Sequence, residues 1–489
     1  MSSSDRGRSS STGAVLIGSH APFAHGPAHL WCTHGALVFQ LVDHAPSHSS
    51  QSEPMSTALL TDQYELTMLQ GALESGTADR PAVFEVFARQ LPPGRRYGVV
   101  AGIGRLLDAL ESFVFDDPAL AFLTSRGIVD DATAGWLAKY RFGGDVWGYA
   151  EGDCYFPGSP VLVVKGTFAE AAILETLVLS VLNHDSAIAS AAARMVSAAG
   201  GRPIIEMGSR RTHEMAAVAA ARAAYIAGFT TTSNLEAGRL YGVPTAGTAA
   251  HSFTLLHDNE RHAFQSQLAT LGAGTTLLVD TYDVERAVRV AVELAGPALG
   301  AVRIDSGDLT VMARRVRALL DSLGAEETRI VVTGDLDEYS IAALAAAPVD
   351  GYGVGTSLVT GSGAPTAGLV YKLVARGDSA DPGAPMRSVA KRSAEKQGRG
   401  GRKSVVRHID AHGVAQAEIV TTGESSPGPH DRTPLVPLVR EGAVIGREPL
   451  ATARARHVQA LGELPPTALQ LSRGDPAIPT EFVDTHLSP

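Results

Sequence analysis

Hydrophobic and polar positions divide the chain into stretches of different periodicity. Residues 1–54 show none: Ser, His and Pro are scattered, and His20, His25, His29, His34, His44 and His48 recur at irregular intervals. This segment is expected to be disordered, or an overcalled start ahead of Met55, and Ala36–Val42 is too short an apolar run for a secretory leader. Organised sequence begins at Ala58. Asp62 precedes a helical stripe of Leu66, Leu69 and Leu73 ended by Gly76, and AVFEVFA (82–88) alternates as a strand. Tyr64 falls in the first turn of that helix, where it either looks out of the fold or packs in the core. A turn carrying Arg95, Arg96 and Tyr97, a helix at 101–114 and segments to Trp147 extend an N-terminal α/β domain over 55–160.

From Val161 the pattern becomes a strand–helix alternation. VLVVKG is a buried strand, Ile173 to Leu182 supply a broad apolar helical face, and an Ala-rich helix covers 186–199. Strands are then predicted at 203–207, 229–232, 243–246, 276–280, 301–305, 329–333 and 351–355. Helices are predicted at 213–227, 234–241, 283–295, 308–323 and 336–346 between them. Repeated βα units mean parallel strands covered by helices, as a barrel or an open doubly wound sheet. Polar residues follow about seven of the strands, and only a barrel gathers that many strand ends at one mouth. The expected fold is therefore an irregular TIM-like α/β barrel over 161–375. A second, discontinuous α/β domain is built from the N-terminal segment and about 405–455, where Val405–Ile409 and Ala415–Thr421 read as a strand pair. Residues 376–404 form a basic loop, either solvated or reaching an anionic ligand, and 456–489 a C-terminal tail.

Composition narrows the functional classes. Apolar residues make up 45% and charged residues 19%, as in a globular protein. A net charge of −10 excludes a general nucleic-acid or anionic-membrane binder. Two cysteines, Cys32 and Cys154, cannot form a disulfide framework, which fits a cytoplasmic location. No run of about 18–20 apolar residues offers a membrane span.

The stretch GFTTTSNLEAGRLYGVPTAGTAAHSF (228–253) delivers Ser233, Gly247, Thr248 and His251 to the rim. Its chemistry suits phosphate handling with His251 as acid, base or nucleophile, although such turns are common and a lone histidine is more often structural. TGDLDE, with Gly334, and GYGVGTS, with Gly353, Gly355 and Thr356, supply two adjacent glycine turns whose N–H groups can approach a phosphate. In RIDSGDL, Arg303 could grip a carboxylate or simply neutralise Asp305, and Asp305 with Asp308 could hold Mg²⁺. Asp280 adds a carboxylate, Arg210 and Arg211 add positive charge, and Glu206 reads as structural. No P-loop is present. The parts together suit transfer involving a phosphorylated sugar.

TDQYELTM (61–68), EMGSRR (206–211), the 228–253 stretch, VRIDSGDL (302–309) and GVGTS (353–357) followed by YKLV (371–374) occur here in one order. In that order they resemble nicotinate phosphoribosyltransferase, a type II phosphoribosyltransferase, over about residues 58–410. The resemblance implies formation of nicotinate mononucleotide and diphosphate from nicotinate and 5-phosphoribosyl 1-diphosphate, the entry of the Preiss–Handler route to NAD. It implies coupling to ATP through a phosphohistidine, Mg²⁺, and a homodimer. His251 matches the phosphohistidine, Tyr64 and Thr248 match nicotinate contacts, and Arg303 matches the arginine near the substrate carboxylate. Thr356 matches a contact to the phosphoribosyl diphosphate, with Arg210 in the same site. The loop AKRSAEKQGRGGRK departs from the family pattern, which leaves contacts through Lys391 or Lys396 unassigned. A nicotinamide phosphoribosyltransferase is the nearest rival. A quinolinate enzyme would lack the GTAAHS histidine, and an inactive metabolite-binding barrel would lack a reason for the full rim set.

Overall fold

The computed structural model describes residues 56–391 and 398–483. The expectations for residues 1–54 and for Lys396 fall outside them. The βα repeats build a six-stranded sheet in the order Thr231–Thr232, Ile204–Glu206, Gly351–Val354, Arg329–Val332, Ala301–Ile304, Thr276–Leu278, every pair parallel. Ile204, Val302, Ile304, Ile330, Val332, Tyr352 and Val354 are buried in its core, as strands covered on their faces require. The connecting helices start where an aspartate accepts from the backbone N–H three residues on: Asp283 ahead of Val284–Ala295, Asp308 ahead of Leu309–Ser322, Asp337 ahead of Glu338–Ala343. The mixed α/β class is what the sequence predicts. The sheet forms a half-barrel: the predicted strand 243–246 contributes a single bridge, Thr245 to Thr232, and the described ladder does not close into a ring.

A second sheet of seven strands mixes early and late segments of the chain. Its order is Met386–Ser388, Leu369–Gly377, Pro81–Ala88, Pro160–Thr167, Asp145–Tyr149, Leu435–Arg440, Ala443–Val444, with antiparallel pairing throughout. Part of the expected basic loop is thus a hairpin, with Arg376 opposite Arg387. The predicted pair around His412-Gly413 forms as Lys403–Ile409 and Ala415–Thr422. It builds its own three-stranded sheet with Thr480–Val483. It is tied to the seven-stranded sheet by a buried ion pair, Lys403 Nζ to Glu85 Oε2 at 2.6 Å, and by the bond from Tyr149 to Glu418. The expected C-terminal tail is also built in, through the helix Leu450–Gly462 and that strand.

One helix of 25 residues, Glu175–Ala199, serves both cores. Leu177, Val178, Val181 and Leu182 pack with the seven-stranded sheet, while Ile188, Ala189, Ala192 and Met195 pack with the parallel one. The stretch Phe168–Ala199 has the length and hydropathy of a membrane span, but 67% of its most apolar window is buried inside the protein. Buried Asp185 and Arg194 on the same helix are each paired with charged side chains, as a core helix needs.

Candidate active site

Because the six strands run parallel, their carboxyl ends share one edge, and the rim residues converge there. A cavity of about 280 Å³ opens at this edge, lined by Ser209, Arg210, Ser233, Gly247, Thr248, His251, Arg303 and Asp305 among others.

His251 is the first residue of the short helix His251–Leu256, which leaves its side chain 41% exposed. Its Nδ1 lies 3.2 Å from Thr281 Oγ1. Its Nε2 lies 3.9 Å from both Asp280 Oδ1 and Asp305 Oδ2. Asp280 is held by its other oxygen: Oδ2 accepts from Asp305 N and Ser306 Oγ, each at 2.8 Å. Its Oδ1 is buried without a hydrogen-bond partner among the described residues, an under-satisfied carboxylate facing the imidazole.

Arg303 rises from the third residue of its strand into a tight network. Nε donates to Thr333 Oγ1 at 2.9 Å and Nη2 to Asp305 Oδ1 at 2.7 Å, while Nη1 reaches the Ala249 carbonyl at 3.4 Å. Thr333 Oγ1 also donates to Asp305 Oδ1. Burial pushes the Asp305 carboxyl up, but the bonds from Thr333 and Arg303 outweigh it and hold the group below the usual carboxylate range. Arg303 thus lines the cavity while pairing with Asp305, the neutralising partner that the sequence reading names. Arg210 lines the same cavity, is exposed, and has no ion-pair partner among the described residues.

The glycine turns sit where two strands end. Gly334 has φ +114°, and a Cβ there would collide with the Asp305 carbonyl oxygen, so this turn admits no side chain. A Cβ on Gly353 would run into Thr333 and Met207. Gly355 precedes Thr356, which opens the short helix Thr356–Val359. Glu206 is structural, as read from the sequence: it is fully buried and accepts from Gly208 N and Thr232 Oγ1.

Of the predicted residues, Gly334, Gly353, Gly355 and Thr356 at the two glycine turns do not line the cavity, and neither do Tyr64 and Asp308. Tyr64 is 44% exposed on the helix Gln63–Glu74, where burial and the nearby Glu175 and Glu65 carboxylates push its pKa up to about 12. Asp308 is exposed, and its Oδ1 accepts from Val311 N as a helix cap. Among the described residues, no group of three or more His, Cys, Asp or Glu is arranged to hold a metal ion. Thr333 belongs to the strand-end residues that the sequence places at the rim, but its bonds to Arg303 and Asp305, and the contact of Thr281 with His251, are not assigned by the sequence. The available signals were the positions of Thr281 directly after Asp280 and of Thr333 at the end of strand 329–333.

Residues 59–183 match a profile of the nicotinate phosphoribosyltransferase (NAPRTase) N-terminal domain. A nicotinate phosphoribosyltransferase of Mycobacterium tuberculosis, pncB1, is 60% identical over 436 residues, covering 87% of this chain and 95% of that protein. The chain belongs to the nicotinate phosphoribosyltransferase family. A second family member from the same organism, pncB2, is 43% identical over 421 residues, covering 84% of this chain and 88% of that one. The crystal structure of the human nicotinic acid phosphoribosyltransferase superposes with a TM-score of 0.73 at 27% identity, over 87% of this chain and 97% of the human one. In this family setting the GTAAHS and RIDSGDL motifs, more than 50 positions apart in the chain, meet within one cavity.

Proposed function

We propose that the chain is a nicotinate phosphoribosyltransferase, forming nicotinate mononucleotide and diphosphate from nicotinate and 5-phosphoribosyl 1-diphosphate, with ATP hydrolysis coupled through His251. The observation that carries this reading is the placing of His251 between Thr281 and two carboxylates at the rim of the parallel sheet. In this reading the half-barrel is the wall of an irregular TIM-like barrel whose mouth is the site.

Electrostatics selects the reacting nitrogen. A phosphoryl group on Nε2 would face Asp280 and Asp305 across 3.9 Å, so the anion is favoured on Nδ1. With the Nε2 proton turned to Asp280, Nδ1 holds a free lone pair and accepts from Thr281 Oγ1. Nδ1 then attacks the terminal phosphorus of ATP, the bond to the ADP oxygen breaks, and ADP leaves with its electron pair. Asp280, its Oδ1 otherwise unpartnered, offsets the positive charge on the ring. In the transfer step the pyridine nitrogen of nicotinate bonds to ribose C1 as the C1–O bond to diphosphate breaks. Arg210 supplies the unpaired cation of the cavity, Thr248 and Arg303 border the ring and carboxylate, and the N–H groups at Gly334, Gly353, Gly355 and Thr356 face phosphate. The donor set suits Mg²⁺ only as a shared ion: Asp305 Oδ2, with oxygens of the substrate phosphates, would hold it, and the ion would neutralise charge on the diphosphate. Tyr64 lies outside the cavity, so its contact with nicotinate requires a second copy of the chain. The exposed apolar strip Leu59, Leu60, Tyr64 and Met68 supports such a homodimer.

The test is diphosphate release with 5-phosphoribosyl 1-diphosphate and Mg²⁺, supplying nicotinate, nicotinamide or quinolinate, each with and without ATP. Turnover on nicotinate stimulated by ATP, with ADP released, is expected. Preference for nicotinamide would transfer the chain to the rival activity. His251→Ala should abolish ATP coupling while leaving slow uncoupled transfer, and coupling that survives would exclude the assignment of His251.

A further inference from the structure

A second cavity, of about 630 Å³, is bordered by Asp258, Glu260, Tyr282, Asp283 and Arg286. It shares no lining residue with the His251 cavity. One wall begins at Tyr282, the residue after the Thr281 that contacts His251 Nδ1. Glu260 opens the helix Glu260–Leu271 and is only 8% exposed, yet its Oε1 has no hydrogen-bond partner among the described residues. A buried carboxylate left without a donor is costly, so the group is open to one supplied from outside the chain.

The surroundings state what kind of donor. Asp258, Glu260 and Asp283 bring three carboxyl groups, whereas the charge of Arg261 is met by Glu293, leaving Arg286 as the facing cation. Tyr282 is 59% exposed and offers an aromatic ring to a cation. The described residues provide no three-ligand metal arrangement, which points away from a bare ion. We propose that this cavity binds a flat aromatic cation carrying an N–H donor, of the pyridinium-carboxamide class, with Glu260 accepting the N–H and Tyr282 covering the charged ring. The site stands apart from the transfer reaction and needs no turnover to be tested.

Burial pushes the Glu260 carboxyl up to about 7, against the pull of Arg286 and with a further push from Asp283; Asp258 and Arg261 also face the cavity. The carboxylate fraction therefore grows between pH 6 and 8, and binding of a cation should strengthen with it.

The experiment is calorimetric titration of the full chain with 1-methylnicotinamide, with uncharged nicotinamide as control. Both probes can donate the carboxamide N–H, so the difference reads the ring charge: at pH 8 the cation should bind about tenfold more tightly than nicotinamide, and its affinity should fall severalfold at pH 6. Glu260→Gln should lose about tenfold with the melting temperature held or raised, since a buried unpaired charge is removed. Tyr282→Leu, a surface change with little risk to folding, should lose about threefold. Saturating nicotinate should leave the binding unchanged. Equal binding of the two probes, full affinity in Glu260→Gln, or displacement by nicotinate would each overturn the proposal, the last by placing the cation at His251. A chain that transferred no phosphoribosyl group yet bound the cation through Glu260 would overturn the transfer reading alone.

Discussion

Two clusters of ionised side chains differ in how completely they are satisfied. Around Arg407, which is 0% exposed, every group has its partner: Nε and Nη2 donate to Glu418, Nη1 to Asp153 at 2.9 Å, and Nη2 also to the Cys154 carbonyl at 2.6 Å. Arg432 covers the other Asp153 oxygen and bridges to Glu463, and Tyr149 donates to the remaining Glu418 oxygen at 3.1 Å. At the rim, Asp280 keeps a bare buried oxygen and His251 stays half open at 3.9 Å from its carboxylates. A closed network fixes the join between the Asp153 turn and the three-stranded sheet. An open one retains interaction energy for a ligand. Folding and chemistry thus use the same residue types and are told apart by what is left unpaired.

The sharpest way to break the comparison is Arg407→Met. It strands Asp153 and Glu418 in the interior and should cost about 3–5 kcal/mol, read as a fall in the denaturation midpoint, with the kinetics of the folded fraction unchanged. An effect below about 1 kcal/mol would mean that the closed network is not structural. Next comes acid. His457 Nδ1 donates to the Gly152 carbonyl beside this network, and burial holds its pKa down to about 4, against an ordinary value near 6.5. The folded state keeps this imidazole neutral while the unfolded chain protonates it below 6.5. The stability it contributes is full above that pH and is lost as pH falls to about 4, a change of about 3 kcal/mol by linkage. Melting curves between pH 7 and 4 should show the loss, and His457→Gln should flatten it. At the rim the pattern reverses. Asp280→Asn should leave stability unchanged or slightly raised, yet lower ATP-coupled turnover about 10–100-fold, as loss of a partner that orients a reactive histidine does. A large stability loss with normal coupling would place Asp280 in the closed class. Thr333→Val is the mildest. It removes one bond to Asp305, costs about 1 kcal/mol, and should raise the Asp305 pKa, measurable by carboxyl NMR titration.

The elements with strong local signals were legible. The helix predicted at 213–227 runs Glu214–Ile226, and strands predicted at 301–305 and 329–333 run Ala301–Ile304 and Arg329–Val332. Apolar runs and aspartate caps determine these locally. The strand predicted at 243–246 is reduced to one bridge, because Pro244 has no N–H to give a ladder and Gly247 follows closely. The helical segments read over 173–182 and 186–199 join in one helix, Glu175–Ala199; the polar Asn183, His184 and Asp185 between them look like a break but each finds a hydrogen-bond partner within the fold. The rim itself could be gathered from strand ends. What local pattern could not supply was the ordering of strands, which puts Gly351–Val354 beside Ile204–Glu206, and the bonds that cross between them, such as Thr333 to Asp305. Those depend on residues far apart in sequence and on which carboxylate each hydroxyl reaches.

The seven-stranded sheet also sets a timetable. Pro81–Ala88 lies between Pro160–Thr167 and Leu369–Gly377, and Ala82 faces Arg376. The second neighbour is therefore made nearly 300 residues after the first strand, and at roughly 5–20 residues per second a ribosome needs about 15–60 s to reach it. Through that interval Val83, Phe84 and Val86 lie on a strand with at least one open edge, and with two until Pro160–Thr167 is made, the kind of surface on which nascent chains pair wrongly. Production of this protein should thus depend on how well the cell shields a half-made sheet while the rest of the chain is still being translated.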